Sequence, residues 1–167
     1  RKDLAQYYDL MTAADHQVGD VMAWLEKHGL ADNTIVFLLG EHGRGMPREK
    51  RWTYDSGIRI PLVARWPGRI QPATKRDDLV ALLDMAPTML ALAGASVPAR
   101  MQGRALFGDS RAKEREFVFS TRDRMDEAED RIRSVRGKRY HYLRNFHPEL
   151  PYAQRIAYNE ESPTMRA

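Results

Sequence analysis

The stretch that most constrains this chain runs Thr34-Ile-Val-Phe-Leu-Leu-Gly-Glu-His-Gly43. An apolar run from Ile35 to Leu39 breaks abruptly into Gly40-Glu41-His42-Gly43. That is the pattern of a buried parallel strand delivering an acid and an imidazole at its carboxyl end, where open α/β sheets place their chemistry. Beyond it, Gly43 to Gly57 is rich in glycine and charge and reads as a long loop over the strand end, the position where such folds carry functional groups.

Upstream, Leu4, Tyr7, Tyr8, Met11, Ala14, Val18, Val21, Met22 and Leu25 recur at spacings of three and four, one apolar stripe on a helix of roughly seven turns. Lys27-His28-Gly29 ends it, with cations in the last turn and a C-cap glycine. Asp15 and His16 on this helix read as a solvated pair and are left out of the site. Downstream, Ile58 to Trp66 reads as a second strand with Pro61 near its start or at an edge. Pro67-Gly68 is a turn. Leu79 to Leu92 reads as a buried helix interrupted near Pro87, with Asp84 as the cap of its second part and Gly94 as its stop.

Val97 to Asp109 reads as loop and Glu116 to Ser120 as a short strand. Asp123 to Arg133 is so charged that it reads as an exposed loop or frayed helix. Arg131 to Val135 and Arg139 to Leu143 alternate around Gly137-Lys138, a β-hairpin. The tail from Asn145 to Ala167 has little periodicity and is expected to be poorly ordered unless sequence outside the chain holds it. The division this implies is a larger part over 1–110 and a small β subdomain with its tail over 111–167.

Composition narrows the function classes. With 167 residues, 43% of them hydrophobic, the chain can bury a core. A formal charge of +4 is spread without the basic block that a nucleic-acid surface needs, and it suits a small anionic substrate equally well. There is no cysteine, hence no disulfide and no thiolate metal site. No run approaches the roughly 18 apolar residues of a membrane span. The first residue is Arg1 and the helix is already under way there, which suggests a piece of a longer protein with any signal peptide outside it. Periplasmic, secreted and cytoplasmic locations all stay open.

Glu41 and His42 sit where the chain leaves the pleat, so both can turn toward one ion. A carboxylate favours Ca²⁺ or Mg²⁺ and an imidazole pulls toward Mn²⁺ or Zn²⁺. On the loop beyond, Lys50 could offer its ammonium to an anionic group or a leaving oxygen. Taken bare, Glu-His-Gly after a strand is balanced between a site and a polar turn, and a lone lysine is usually a surface lysine.

A set of ordered blocks tips that balance. The helix end Leu25-Glu-Lys-His-Gly-Leu-Ala-Asp-Asn-Thr-Ile-Val36, the Glu-His-Gly, Lys50 followed by Tyr54-Asp-Ser-Gly-Ile-Arg-Ile-Pro-Leu62, Arg65-Trp-Pro-Gly68, Leu83-Asp-Met-Ala-Pro-Thr-Met-Leu90 and Met101-Gln-Gly-Arg-Ala-Leu106 resemble the sulfatase family in order and spacing. Arg133 to Leu143 resembles the strand pair of its small C-terminal subdomain, most like the heparan N-sulfatase type. The resemblance implies an α/β fold, part of an alkaline-phosphatase-like sheet-and-helix domain with a small antiparallel C-terminal subdomain. It implies hydrolysis of sulfate esters or sulfamates on a sulfated small molecule or glycan. The cofactors implied are a formylglycine made from Cys or Ser in a Cys/Ser-x-Pro-x-Arg motif and a divalent cation, Ca²⁺ first, with Mg²⁺ or Mn²⁺ as alternatives. By the same resemblance Glu41 and His42 would be metal ligands and Lys50 would contact the sulfate or help the leaving group. Glu41 departs from the usual Asp by one methylene. The nucleophile and remaining ligands would lie in an N-terminal half outside this chain, which by itself should be inactive. Alternatives are a phosphate or phosphonate monoester hydrolase of the same superfamily and a degenerate relative that only binds sulfated glycans.

Ser96-Val-Pro-Ala-Arg100 satisfies Ser-x-Pro-x-Arg literally, but it follows a helix stop and leads into a loop, whereas a formylglycine belongs at a helix N-terminus. Ser162-Pro163 with Arg166 fails the pattern. His141 and His147 could line a substrate pocket, Trp52 and Tyr54 could stack on a sugar ring and Arg59 could bind sulfate, and each reads first as packing, strand or strand-end structure.

Overall fold

A computed structural model describes residues 2–46 and 48–161; Pro47 and the end of the tail, 162–167, with the Ser162-Pro163 and Arg166 match, lie outside them. The chain divides into two compact units. One takes residues up to Lys50, Tyr54–Lys75 and the tail from Ala153, and the other takes Arg51–Thr53 and Arg76–Tyr152.

In the first unit α1 spans Lys2–Lys27, as the apolar spacing predicts. It closes in a Schellman turn: the Leu30 N–H donates to the Leu25 carbonyl at 2.9 Å, and the N–H of Gly29 donates to that of Glu26 at 3.0 Å. Gly29 holds φ +67° with nothing near its Cα where a Cβ would stand. Gly29→Ala should therefore cost about 1 kcal/mol through backbone strain alone, read as a fall in the urea midpoint with an unchanged m-value. Only Leu25 of the stripe is buried, while Tyr8, Met11 and Val21 face solvent. Asp15 and His16 are exposed.

Strand β1, Val36–Leu39, pairs with β2, Leu62–Arg65, and the pairing is antiparallel, with Val36 opposite Arg65 and Leu39 opposite Leu62. This corrects the expectation of a buried parallel strand. The physical reason lies in the connection: Gly40 N–H donates to the Pro61 carbonyl at 3.0 Å and Gly43 N–H to that of Gly57 at 2.9 Å. These bonds extend the ladder past the strand ends, so the chain folds straight back instead of crossing over, as a parallel partner would require. Leu38 and Leu39 are exposed. Pro61 stands immediately before β2, where its missing N–H is not needed. The loop between the strands holds a short helix, α2, Asp55–Ile58, which takes up the end of the stretch read as loop together with Ile58, the first residue read as strand.

The second unit contains a 3₁₀ turn, Leu82–Asp84, running into α3, Met85–Leu92, and a separate sheet. Helix starts later than the sequence suggests because Ala81 is extended, at φ −115° and ψ 148°. Asp84 is wholly buried and caps in an unexpected way. Its carboxylate accepts the N–H of Ala81 at 2.9 Å and of Arg104 at 2.8 Å, and it pairs with the Arg115 guanidinium. A second Schellman turn at Gly94 ends α3, with Ala95 N–H donating to Leu90 at 2.9 Å.

The sheet has the order β3-β4-β5, with β3 over Val118–Met125, β4 over Ala128–Arg136 and β5 over His141–Asn145, all antiparallel. The β4–β5 hairpin about Gly137-Lys138 is as expected. Asp123 to Arg133, read as loop or frayed helix, is instead the tight β3–β4 turn and its flanking strands. Its charges are paired: Arg122 with Asp130 at 2.9 Å, Arg133 with Asp123 at 2.6 Å, and Arg124 with Glu129. A strand can be dense in charge where opposite signs face one another across the ladder. One face, with Ile132, Ser134 and Arg122, is buried. Phe119, Val135 and Tyr142 form a row across the other, and Phe119 is 76% exposed. Within the described part of the tail, where the sequence shows little periodicity, Ala157–Glu161 forms a short helix, α4, with Ile156 buried beside it. No described helix is long and apolar enough to cross a membrane.

Candidate functional site

The end of β1 leaves the ladder at Gly40 and presents Glu41 and His42 before the chain is pinned again at Gly43. A Cβ on Gly43 would lie 2.1 Å from the Ser56 carbonyl oxygen and 2.8 Å from the Gly57 Cα, so only glycine allows this approach. The His42 ring is fixed from the same residue, because its Nδ1 lies 2.7 Å from the Gly43 carbonyl oxygen. A carbonyl only accepts, so Nδ1 carries the proton and Nε2 of the neutral ring carries the lone pair. Backbone carbonyls orient metal-binding histidines in this way. Nε2 lies 3.7 Å from the Glu41 Oε2, and the Glu41 side chain is 84% exposed. At ligand distances of roughly 2.0–2.6 Å, an oxygen and a nitrogen so separated can share one ion.

The two residues supply half of a donor set at most. Among the described residues no group of three or more His, Asp or Glu is gathered where it could hold a metal ion.

The loop that follows is closed on itself. Lys50 N–H and Met46 N–H both donate to the Arg44 carbonyl at 2.8 Å, and the Arg44 side chain grips Glu49 through Nε at 2.6 Å and Nη2 at 2.5 Å. Hydrogen bonding to Glu49 and its negative charge hold the Arg44 guanidinium above its ordinary pKa. Arg48 and Arg51 take positive φ, and the Ser56 hydroxyl donates to the Arg48 carbonyl at 2.6 Å. The root of Lys50 is thus tied to a residue two places past His42. Its ammonium, however, is directed to Tyr158 of α4, with Nζ 3.1 Å from the phenol oxygen and 4.6 Å from the ring centroid. Tyr158 was missed in the sequence because nothing in a polar tail marks one tyrosine 108 positions away as the partner of a lysine.

The remaining candidates lie as follows. Trp52 stacks on Tyr152 at 4.0 Å and 6°, with the Arg122 guanidinium 4.0 Å from its centroid, so it packs within the second unit. His147 contacts Glu149 at 2.9 Å, His141 lies on β5, and Arg59 is exposed. Tyr54 gives its carbonyl to the first turn of α2. Ser96 stands in an irregular loop after the Gly94 turn, with no helix starting from it.

Comparison with known proteins agrees with the blocks noted in the sequence. A family model described as Sulfatase matches residues 1–95. An ulvan-active sulfatase of Formosa agariphila is 41% identical over 166 residues, 99% of this chain and 28% of that protein. Steryl-sulfatase of Rattus norvegicus is 35% identical over 136 residues, 68% of this chain and 24% of its own. An N-acetylglucosamine-6-O-sulfatase of Bacteroides thetaiotaomicron is 36% identical over 110 residues, 62% of this chain and 19% of that protein. Among solved structures, a protein in complex with its substrate D-glucosamine-2-N,6-O-disulfate superposes with a TM-score of 0.72 at 25% identity, covering 83% of this chain and 30% of that one. The chain therefore spans less than a third of the length of these relatives. Their names support the family and not the heparan N-sulfatase type in particular. The alkaline-phosphatase-like fold is shared with sulfatases of known structure. With more than half its residues matched by the family model, the chain belongs to the sulfatase family.

Proposed function

We propose that this chain is part of a sulfuric ester hydrolase that depends on a formylglycine and a divalent cation, with Glu41 and His42 as two of the cation's ligands and Lys50 facing the sulfuryl oxygens. The observation that carries the reading is the His42 ring, locked by the Gly43 carbonyl so that Nε2 stands open beside the Glu41 carboxylate. When bound, the cation would supply Lewis-acid polarisation of the sulfuryl oxygens. The residues of this chain would orient it, with an imidazole whose tautomer is fixed and a carboxylate on a longer arm than aspartate. Lys50 would place positive charge where negative charge develops on the leaving oxygen.

One similar protein is named for a sulfated glucosamine and one similar structure holds a sulfated glucosamine as its substrate, which supports a sulfated saccharide as the substrate class. Every relative named above is a sulfatase or a protein with a sulfated substrate, so a phosphate monoester is not favoured. The nucleophile belongs to sequence outside this chain, and the isolated chain is expected to be inactive. A division after residue 110 is part of the proposal, with β3 to β5 as the small antiparallel subdomain.

The test uses the intact-length protein and release of inorganic sulfate from N-acetylglucosamine-6-sulfate and D-glucosamine-2-N,6-O-disulfate. Chelation should abolish turnover and added Ca²⁺ should restore it. His42→Ala should weaken the cation by about tenfold or more in calorimetric titration, the size expected when a metal site loses an orienting or ligating group. Undiminished turnover in a Glu41→Ala/His42→Ala double variant would sink the assignment.

A further inference from the structure

We propose that Tyr158 is a positioning residue for Lys50, a neutral anchor that holds the ammonium in place while leaving its charge intact for an anionic substrate group. The inference rests on the reading of Lys50 as sulfate-facing, and goes beyond it by assigning a role to the tail.

A lysine is a point charge on four flexible carbons, and its reach is useful in catalysis only when its tip is held. Both ends of Lys50 are held. Its backbone N–H closes the loop on Arg44 at 2.8 Å, and the Arg44–Glu49 fork braces that loop from inside. Its ammonium donates to the Tyr158 phenol oxygen at 3.1 Å and lies 4.6 Å from the ring centroid, so a lone pair and an aromatic quadrupole act on it together.

The chemistry of the anchor matters. Among the described residues no carboxylate forms an ion pair with Lys50. Glu49, the residue just before Lys50, is gripped by Arg44, and Glu160, two residues past Tyr158, pairs with Arg155 at 3.0 Å. A carboxylate in place of the phenol would neutralise the ammonium and compete with an incoming sulfate. A phenol fixes the same atom without cancelling its charge. One of the three ammonium protons is used on Tyr158, which leaves two for an anionic ligand.

The tail is built to keep Tyr158 there. Ile156 is buried at 4% exposure, Asn159 N–H donates to the Ile156 carbonyl at 3.0 Å, and the Asn159 side-chain amide donates to the Gln154 carbonyl at 3.4 Å. The short helix α4 therefore turns on an apolar peg, and the tyrosine two residues past the peg meets the loop.

The test is a double-mutant cycle in the intact-length enzyme, following sulfate release from the two saccharides named above. Tyr158→Phe keeps the ring and removes the oxygen, so it should fold as the parent does. It should lower kcat about 3- to 10-fold with KM changed less than twofold, the order of one net hydrogen bond of ordinary strength. In a Lys50→Ala background the same substitution should have no further effect, which a merely structural tyrosine would not reproduce. Parental kcat in Tyr158→Phe, or a loss that persists in full without Lys50, overturns the positioning role while leaving Lys50 catalytic. A Lys50→Ala enzyme that turns over like the parent overturns the reading of Lys50 itself and this inference with it.

Discussion

Asp84→Ala should destabilise the intact protein by about 3–5 kcal/mol, the range for removing one partner of a buried ion pair. The Asp84 side chain is 1% exposed and that of Arg115 is 15% exposed. Removing the carboxylate strands the guanidinium away from water and leaves the N–H groups of Ala81 and Arg104 without an acceptor. Those two backbone groups account for part of that loss, since an orphaned buried N–H costs about 1–3 kcal/mol where water cannot reach in. The same aspartate also gives its main-chain carbonyl to the buried Thr88 hydroxyl at 2.6 Å, and that hydroxyl accepts Leu106 N–H at 3.0 Å. Three separate segments thus converge on one residue at the start of α3. Asp84→Asn keeps an acceptor and the shape but removes the charge, so it should recover part of the loss. Urea denaturation of both variants at fixed pH checks the claim, and a loss under about 1 kcal/mol for the alanine variant would contradict the network described.

Gly43→Ala should act on stability and on the candidate site at once. The new Cβ would meet backbone atoms of Ser56 and Gly57, at 2.1 and 2.8 Å, which cannot swing aside as a side chain would. Forcing atoms into a filled space costs about 1–3 kcal/mol, and relief here requires the two sides of the loop to part. Parting them breaks the Gly43 N–H bond to Gly57 and moves the Gly43 carbonyl that sets the His42 ring. Cation affinity should then fall about tenfold or more, as it does when the group orienting a metal-binding histidine is lost. Gly45→Ala is the control, because nothing lies within 4 Å of its added Cβ. Equal calorimetric affinities for the two variants would mean that the Gly43 approach does not govern the site.

These expectations show where sequence reading succeeds and fails. Helix α1, the glycine stops at Gly29 and Gly94, and the β4–β5 hairpin were legible because each is written in local residues: a repeat of three and four, a residue tolerant of positive φ, an alternation about a turn. Glu41 and His42 were legible as a pair for the same reason. The direction of β1 was not, since an apolar run reports burial and is silent on which strand lies beside it. Charge density misled over Asp123 to Arg133, where Arg122 meets Asp130 and Arg133 meets Asp123 only once the strands are paired. The partners of Lys50 and Asp84 lie 108 and 31 positions away, so long-range packing chose them and no local pattern could.

The uncovered face of the three-stranded sheet has a practical consequence for anyone handling this chain by itself. Phe117, Phe119, Tyr140 and Tyr142 are all more than half exposed, and β3 and β5 are the open edges of the sheet. Aromatic surface beside unpaired strand edges is what drives soluble chains into insoluble assemblies. Residues 1–167 produced alone should accumulate in inclusion bodies, and any soluble fraction should light up a fluorescent dye for apolar surfaces. Lysine substitutions at Phe119 and Tyr142 offer the direct remedy, since they interrupt the apolar row and leave the buried side of the sheet untouched.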